Sequence, residues 1–370
     1  MSSRKLGLLE HFNTLPDPRR VNHNTKRHNL LDIVVIAVLA TICGADTWSD
    51  IEAFGLEKKK WLETFLELEN GIPSHDTFGR VFSILDPQAF ERCFLAWTKT
   101  VRRRTRGEVV AIDGKSARRA HGKGLRPIHL VNAFATESGI ALGHFRVDEK
   151  SNEITAIPEL LKILMLKGCI VTTDAMGTQG WIVKKIKEQG ADYVLAVKGN
   201  QGRLHRDLQK IFAHEKLRKN HARTEERAHG RKEVRACVVT DDLSSIRDLD
   251  RWDGLRSVAA ITDTRTVNGT TRTATRYFIS SLSADAARTL SAVRAHWKVE
   301  NSLHWSLDIA FREDLSRVRI GHAQQNLALI RKLALNLLRR EHSVRGGIIG
   351  KRLRAGWNED YLLKVTGVLT

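Results

Sequence analysis

The first hundred residues repeat apolar side chains at helical spacing. Residues 30–43 are apolar on most sides, and residues 49–66 carry large apolar side chains three, four or seven positions apart: Ile51, Phe54, Trp61 and Phe65. Ser74 is a typical helix N-cap, and Asp86-Pro87 is typical of a joint between two helices. The pattern predicts a helical N-terminal region over residues 1–98.

From residue 109 the pattern changes to short β-type runs. Strands are predicted over residues 109–112, 128–136, 140–147, 169–173 and 193–197, with helices over 154–166 and 181–189. This order of elements fits a mixed sheet in the spatial order 3-2-1-4-5, in which the first and fourth strands are neighbours. We therefore predict an α/β fold with a ribonuclease H-like layout.

The second half of the chain alternates between the two kinds of pattern. Further β-type runs over residues 236–240, 257–262 and 276–282 predict a β-rich insertion, and helical patterns return over residues 284–308 and 322–341. The predicted organisation is a helical domain (1–98) for DNA-end binding or dimerisation, a first part of the core (99–219), the insertion (220–282), C-terminal core helices (283–345) and a basic tail (346–370).

Two acidic side chains follow the predicted first and fourth strands. Asp113 begins the string Asp-Gly-Lys, and Asp174 begins the string Asp-Ala-Met-Gly. Ligands of open α/β sheets collect at the carboxyl ends of the strands, beside the point where the strand order reverses. The sequence therefore predicts that these two carboxylates lie side by side.

The charge balance indicates a polyanionic partner. The chain has 61 Lys and Arg against 42 Asp and Glu, a net charge of +19 and a pI of about 10.1, which favours nucleic acid. No apolar run reaches the roughly 20 residues of a membrane span. No export signal opens the chain, and its four cysteines form no C-x-x-C pair, so we expect a cytoplasmic protein with reduced thiols.

Carboxylates held together in a basic protein are typical of metal-dependent phosphoryl transfer. Hard oxygen ligands can hold two Mg²⁺ ions, or Mn²⁺ as a substitute. The best candidate for a third acid is Glu300, because a regular helix would place His296, Glu300 and His304 on one face, with Asp308 extending the row. We predict Asp113, Asp174 and Glu300 as catalytic residues and metal ligands.

Other interpretations of that helical segment stay open. A His-Glu-His row at helical spacing could bind zinc, although the H-E-x-x-H order is absent. Alternatively, the row is a solvated face above a core that contains Trp297, Leu303 and Trp305. Glu313 and Asp314 are alternative third acids beyond the expected end of the helix.

Basic and amide side chains near these acids are candidate DNA contacts, because phosphate contacts position a nucleic acid without reading its sequence. Ten basic residues lie in residues 99–126 around Asp113, although a charge run is also typical of a solvated face. Arg231 lies in the β-rich insertion, where an exposed hairpin tip is the alternative. The predicted DNA-binding residues are Lys115, Arg118, Lys198, Asn200, Gln201, Arg231 and Lys298.

Several strings resemble the H-repeat-associated transposases of bacterial insertion sequences. In the core they are Ile-Asp-Gly-Lys at 112–115, Lys-Ser-Asn-Glu-Ile-Thr-Ala-Ile-Pro at 150–158, Thr-Asp-Ala-Met-Gly-Thr-Gln at 173–179, Val-Lys-Gly-Asn-Gln at 197–201 and Glu-Asn-Ser-Leu-His-Trp at 300–305. Asp-Pro-Arg at 17–19, Gly-Ala at 44–45 and Gly-Ile-Pro-Ser-His-Asp-Thr at 71–77 are similar to the helical domain of that family. The resemblance covers roughly residues 8–341.

This resemblance implies a Mg²⁺-dependent DDE transposase that cuts DNA at element ends and joins them to target DNA. It implies double-stranded DNA as partner, a homodimer when two ends are synapsed, and Asp113, Asp174 and Glu300 as the three acids. The chain departs from related transposases around the third acid, where Tyr, Arg and Lys are common: it has Val293, His296 and Leu307 at those places. Thr178 stands where relatives commonly have Cys.

Two other functions compete with this prediction. A DNA-binding regulator descended from a transposase would retain the fold without transposing. A defence or repair nuclease with the same core would cut DNA without joining it.

Overall fold

A computed structural model of the chain describes residues 7–20, 26–101, 107–116, 128–147, 152–213, 220–228 and 230–367. The predicted DNA-contact residue Arg118 lies outside these ranges. Within them, no helix combines the length and the apolar character that crossing a membrane requires.

The N-terminal region is helical, as the apolar spacing predicted. Its helices are α1 (Gly7–Phe12), α2 (Leu30–Ile42), α3 (Trp48–Glu57), α4 (Lys59–Leu62), α5 (His75–Ile84) and α6 (Pro87–Val101). Ser74 caps α5 by accepting a hydrogen bond from the Thr77 amide, and Asp86 accepts bonds from the amides of Gln88 and Ala89 at the start of α6. The run predicted as one helix over residues 49–66 is divided into α3 and α4.

One nine-stranded sheet organises the rest of the chain. Its strands are β1 (Val109–Ser116), β2 (His129–Ala135), β3 (Ile140–Val147), β4 (Ile170–Thr173), β5 (Asp192–Val197), β6 (His221–Ala228), β7 (Arg231–Thr240), β8 (Ser257–Val267) and β9 (Thr270–Ser280). Their order is β3-β2-β1-β4-β5-β9-β8-β7-β6. The first five strands have the neighbours expected from the sequence, with β1 and β4 parallel.

The β-rich segment continues this sheet. Strand β9 pairs antiparallel with β5, so β9, β8, β7 and β6 extend the sheet edge that β5 would otherwise leave open. Strand β6 was not predicted, because its alternation is between polar residues: Thr, Glu, Glu and Arg fill its centre and most of it is exposed. Periodicity of apolar residues cannot find such a strand.

Helices cover both faces of the sheet. On one face, α7 (Glu153–Ile163), α8 (Gly180–Glu188) and α9 (Gly202–Ala213) bury apolar side chains against alternate strand residues such as Ile112 and Val171. On the other face lie α10 (Ala286–His296), α11 (Trp305–Ala310) and α12 (Ala323–Arg340). Residues that alternate along one strand therefore enter two different cores.

The N-terminal helices and the C-terminal helices share one core. Phe12, Leu39, Phe82, Leu335 and Leu362 belong to the same buried cluster. The region expected to be a basic tail forms α13 (Ile348–Trp357) and α14 (Glu359–Thr366).

Two basic side chains of α13 point into this core. Lys351 donates to the carbonyl of Leu338, and Arg352 donates to the carbonyl of Thr41. These cations cap helix ends, because carbonyl groups at a helix C-terminus lack partners within the helix.

The buried amide of Asn336 joins α12 to the edge strand β3, and its removal tests that joint. Its side chain accepts from the Ala141 amide at 2.9 Å and donates to the Ala141 carbonyl at 2.8 Å. Asn336→Ala leaves both groups buried and unpaired, so we expect a loss of about 2–4 kcal/mol in the free energy of unfolding, measured by chemical denaturation. Gln325→Ala, at a partly exposed position of the same helix, should change it by less than about 0.5 kcal/mol. Equal effects would contradict this role.

Candidate active site

The parallel pairing of β1 and β4 brings the two predicted acids together. Ile112 lies opposite Thr173 in the register, so Asp113 and Asp174 are the next residues of two adjacent strands. The expectation that the first strand ends at Asp113 was wrong. Strand β1 continues to Ser116 because β2 still pairs with it there: Asp113 lies opposite Asn132. Asp113 is therefore held by its pairing with β2 on one side. On its other side β4 has already ended, so no strand pairs with Asp113 there.

Asp174 is fixed by the turn that follows it. Its carboxylate accepts hydrogen bonds from the amides of Met176 at 2.9 Å and Gly177 at 3.3 Å, both through Oδ1. The turn is held in place by two residues that the sequence suggested as DNA contacts. Asn200 donates to the Ala175 carbonyl at 2.6 Å, and the buried Gln201 donates to the Thr178 carbonyl at 2.8 Å. Their side-chain amides thus position the loop that carries Asp174.

Glu300 lies on a π-helix, Val299–His304, between α10 and α11. The expectation of a regular helix with His296, Glu300 and His304 on one face was wrong. The Trp305 amide donates to the Glu300 carbonyl, five residues earlier, which widens the turn. As a result Glu300 is exposed while His304 is 9% exposed.

The two histidines of the predicted row have separate partners. His296 Nδ1 lies 3.0 Å from Thr172 Oγ1, and His304 Nδ1 lies 3.7 Å from Asp113 Oδ2. Burial lowers the pKa of each imidazole to about 4, so both are neutral at pH 7. Because they diverge, the His-Glu-His zinc hypothesis has no ligand geometry to support it.

Three neighbouring carboxylates act on Asp113 at the carboxyl ends of β1 and β4. Burial raises the pKa of Asp113 to about 7, and the negative charges of Glu153, Glu300 and Asp174 add to the shift in that order. The pKa of Asp174 is raised by burial, with Glu153 contributing and Lys198 opposing. Glu153 was not among the predicted site residues, because in the sequence it stands out only as part of a family motif.

The donor chemistry of these side chains fits a hard divalent cation, which prefers carboxylate oxygens and would relieve their repulsion. Over the described ranges, no three His, Cys, Asp or Glu side chains form a complete set of ligands around one point. Asp113 and Asp174 are fixed by backbone pairing and by the turn. Glu300 is exposed, and its charge acts on Asp113.

Lys115 binds acids of its own chain. Its ammonium lies 2.7 Å from Asp308, 3.0 Å from Asp314 and 3.5 Å from Glu313, and its side chain is 10% exposed. These contacts tie β1 to the segment that follows Glu300. They also engage Glu313 and Asp314, the alternative third acids. A contact between Lys115 and DNA stays a prediction.

Of the remaining predicted DNA contacts, Lys198 and Lys298 are close to the acids or to the π-helix, and Arg231 is distant from them. Lys198 is exposed and its charge acts on Asp174, and Lys298 is exposed one residue before the π-helix. Arg231 begins β7 and forms an ion pair with Glu233 at 3.4 Å. Strand β7 is four positions from β4 in the sheet, a separation of about 19 Å. Arg231 therefore belongs to a different part of the surface.

Comparison with known proteins identifies the class. The family described as "Transposase DDE domain" matches residues 104–337, and the family described as "DDE_Tnp_1-associated" matches residues 9–98. Because the first match covers well over half of the chain, the chain belongs to the DDE transposase family, in the H repeat-associated group that its relatives define.

Those relatives match nearly the whole chain. "Putative transposase YncI" of Escherichia coli O157:H7 is 42% identical over 97% of this chain and 94% of its own length. "H repeat-associated putative transposase YhhI" of Escherichia coli K12 is 38% identical over 97% of both chains. The resemblance predicted from the motifs is thereby confirmed. A shorter relative from the same strain, "Inactive transposase YbfQ", is 42% identical over 20% of this chain.

A solved structure also aligns with the chain. The piggyBac transposase in a synaptic complex with hairpin DNA covers 98% of this chain and 77% of its own, with a TM-score of 0.41 and 11% identity. Similarity at this level carries no argument about function.

The raised pKa of Asp113 predicts how stability depends on pH. Between pH 3.8 and about 7 the folded chain retains a proton that the unfolded chain has released, so this carboxyl destabilises the fold progressively as pH rises. In the absence of divalent cations, Asp113→Asn should raise the free energy of unfolding by about 1–3 kcal/mol at pH 8, below the limit of roughly 4 kcal/mol set by the shift, and by little at pH 4.

Chemical denaturation in a chelator at both pH values measures this difference. Asp76→Asn is the control, since that side chain is 84% exposed, and it should show no such pH-dependent gain. Equal stability of Asp113→Asn and the wild type at pH 8 would mean that burial and the neighbouring acids do not raise the pKa of Asp113 as described.

Proposed function

We propose that the chain is an active DDE transposase with a ribonuclease H-like core. It cuts DNA at the ends of an insertion sequence and joins the released 3′-hydroxyl to target DNA. The observation that carries this proposal is the adjacency of Asp113 and Asp174 at the ends of β1–β4 pairing, within a chain of the DDE family. Membership of the family shows the class of protein, and the adjacency of the two acids supports their proposed role as the site.

Asp113, Asp174 and Glu300 would hold Mg²⁺, or Mn²⁺ as a substitute. When bound, the cations would favour deprotonation of the attacking oxygen and offset the charge that develops on the phosphate. Glu300 is a better third acid than Glu313 or Asp314, because those two are engaged by Lys115 whereas Glu300 is exposed and acts on Asp113.

The surrounding side chains prepare the acids for this task. Neutral His304 lies against Asp113 without adding a positive charge that would compete with a cation. Asn200 and Gln201 hold the turn of Asp174. Lys198 and Lys298 are exposed, and they would contact phosphates of the scissile strand. The protein would act on chromosomal DNA in the cytoplasm, as a homodimer when it brings two element ends together.

Substitution of the acids tests the chemistry. Asp113→Asn, Asp174→Asn and Glu300→Gln should each reduce strand cleavage in Mg²⁺ more than about 100-fold, because even outer-shell partners of a metal contribute 10–100-fold. Binding to the same DNA should be nearly unchanged. The assay is cleavage and strand transfer on a plasmid that carries the element ends, with Asp76→Asn as a control. Normal cutting by Asp113→Asn would refute the site.

The same assay separates the alternatives. Cutting without joining would indicate a defence or repair nuclease. Binding of the ends by the wild-type chain without any cutting would indicate a regulator derived from a transposase. One relative carries the name of an inactive transposase.

Salt dependence tests the predicted phosphate contact of Lys198. Each phosphate contact releases counterions, so affinity should fall steeply as salt rises, with a log–log slope of about −0.9 per contact. Lys198→Ala should make that slope shallower by about 1. Lys167 is an exposed lysine just before the amino end of β4, and so lies at the opposite end of the strands from the acids. Lys167→Ala should leave the slope unchanged, and equal slopes for the two variants would remove Lys198 from the interface.

A further inference from the structure

Glu153 reaches the acid cluster from the opposite face of the sheet. It is the first residue of α7, whose apolar side packs on the face that contains Ile112 and Val171. Asp113 instead points, by strand alternation, towards the face covered by α10 to α12, where His304 lies beside it. Glu153 nevertheless has the largest effect of any single charge on the pKa of Asp113.

Gly114 makes this approach possible. A Cβ atom at position 114 would lie 2.0 Å from Glu153 Oε1 and 2.6 Å from His129 Nε2. The backbone of Gly114 has no positive φ, so its conformation is open to any residue. Glycine leaves this space open: a larger residue would force the Glu153 carboxylate and the end of the His129 ring to move. The Glu153 carboxylate therefore lies directly against the backbone of the residue that follows Asp113.

Two hydrogen bonds in series, through His129 to Ser116, fix the Glu153 carboxylate beside Gly114. His129 Nε2 lies 2.7 Å from Glu153 Oε1, and His129 Nδ1 lies 2.6 Å from Ser116 Oγ. A carboxylate only accepts hydrogen bonds, so Nε2 carries the proton and, in the neutral ring, Nδ1 accepts from the serine hydroxyl. Metal-ligating and metal-adjacent carboxylates are typically oriented in this way by a second residue.

We propose that Glu153 is a fourth carboxylate of the active site, positioned beside Gly114 by His129 and Ser116, and that it contributes to divalent-cation binding together with Asp113 and Asp174. This inference rests on the proposed function, since it extends the same cation site. It also gives a role to the Asn-Glu-Ile-Thr string at 152–155, which the three-acid assignment leaves without one.

Mn²⁺ binding to the full chain without DNA tests the inference independently of catalysis. Free Mn²⁺ is measured by electron paramagnetic resonance as protein is titrated. Glu153→Gln should weaken Mn²⁺ binding on the order of tenfold, and Glu153→Asp should weaken it less. Glu159→Gln is the matched control, because Glu159 lies on the same helix in an exposed ion pair with Lys162, and it should bind Mn²⁺ as the wild type does.

Gly114→Ala provides a second test that removes no charge. The new methyl group would displace the flexible end of Glu153 rather than backbone, so we expect weaker Mn²⁺ binding with a thermal unfolding temperature close to that of the wild type. Ser116→Ala removes only the hydrogen bond between the Ser116 hydroxyl and His129, so it should weaken Mn²⁺ binding less than Glu153→Gln does. A loss in Ser116→Ala as large as that in Glu153→Gln would contradict the proposed order of roles.

The reference variant Asp113→Asn separates the possible failures. If Asp113→Asn weakens Mn²⁺ binding while folded Glu153→Gln and Gly114→Ala bind within twofold of the wild type, Glu153 is structural and only this inference fails. If the wild-type chain binds no Mn²⁺, both the inference and the cation site of the proposed function are wrong.

Discussion

The parallel pairing of β1 with β4 is the constraint on which the site depends. Its register places Ile112 opposite Thr173 and so makes Asp113 and Asp174 neighbours, although 61 positions separate them in the sequence. A slip of one residue would turn Asp113 to the opposite face of the sheet. The pairing is protected because β2 and β5 flank it and helices cover both faces. Stability of the sheet and geometry of the acids are therefore the same property.

The helices beside this strand pair contain charged side chains that lie out of solvent, and each is offset by a nearby side chain of opposite charge. Lys332 is buried and Lys115 is half-buried. The charge of Glu313 raises the pKa of both ammonium groups, against the effect of burial. Glu91 is also buried near Lys332, and desolvation raises the pKa of its carboxyl to about 7. Removal of one member of such a group leaves its partner uncompensated, which costs more than the pair contributes when intact. The helices above the acids are consequently held by polar contacts as well as by apolar burial.

Local patterns predicted most strands and the positions of Asp113 and Asp174. Strands, helix caps and acids at strand ends can be recognised from residues that are close together in the sequence. These patterns did not predict the contacts of Lys115, whose partners lie some 193 and 199 positions away. They also missed Glu153, since the reason for Gly114 is visible only when α7 is placed on the sheet. Strand β6 was missed because a polar edge strand carries no apolar period.

The π-helix explains why Glu300, the candidate third acid, is exposed close to a buried histidine. In a regular α-helix, Glu300 and His304 would share one face and one degree of burial. In the π-helix, positions five apart correspond instead: Val299 and His304 are both buried, and Glu300 and Trp305 are both exposed. His304 is thereby turned inward to Asp113, while the carboxylate of Glu300 stays exposed and acts on Asp113 through its charge. A widened turn of this kind is less stable than an α-helix and is frequent at functional sites. Its position at the candidate catalytic acid indicates that the segment is shaped for the chemistry of the site at some cost to helix stability.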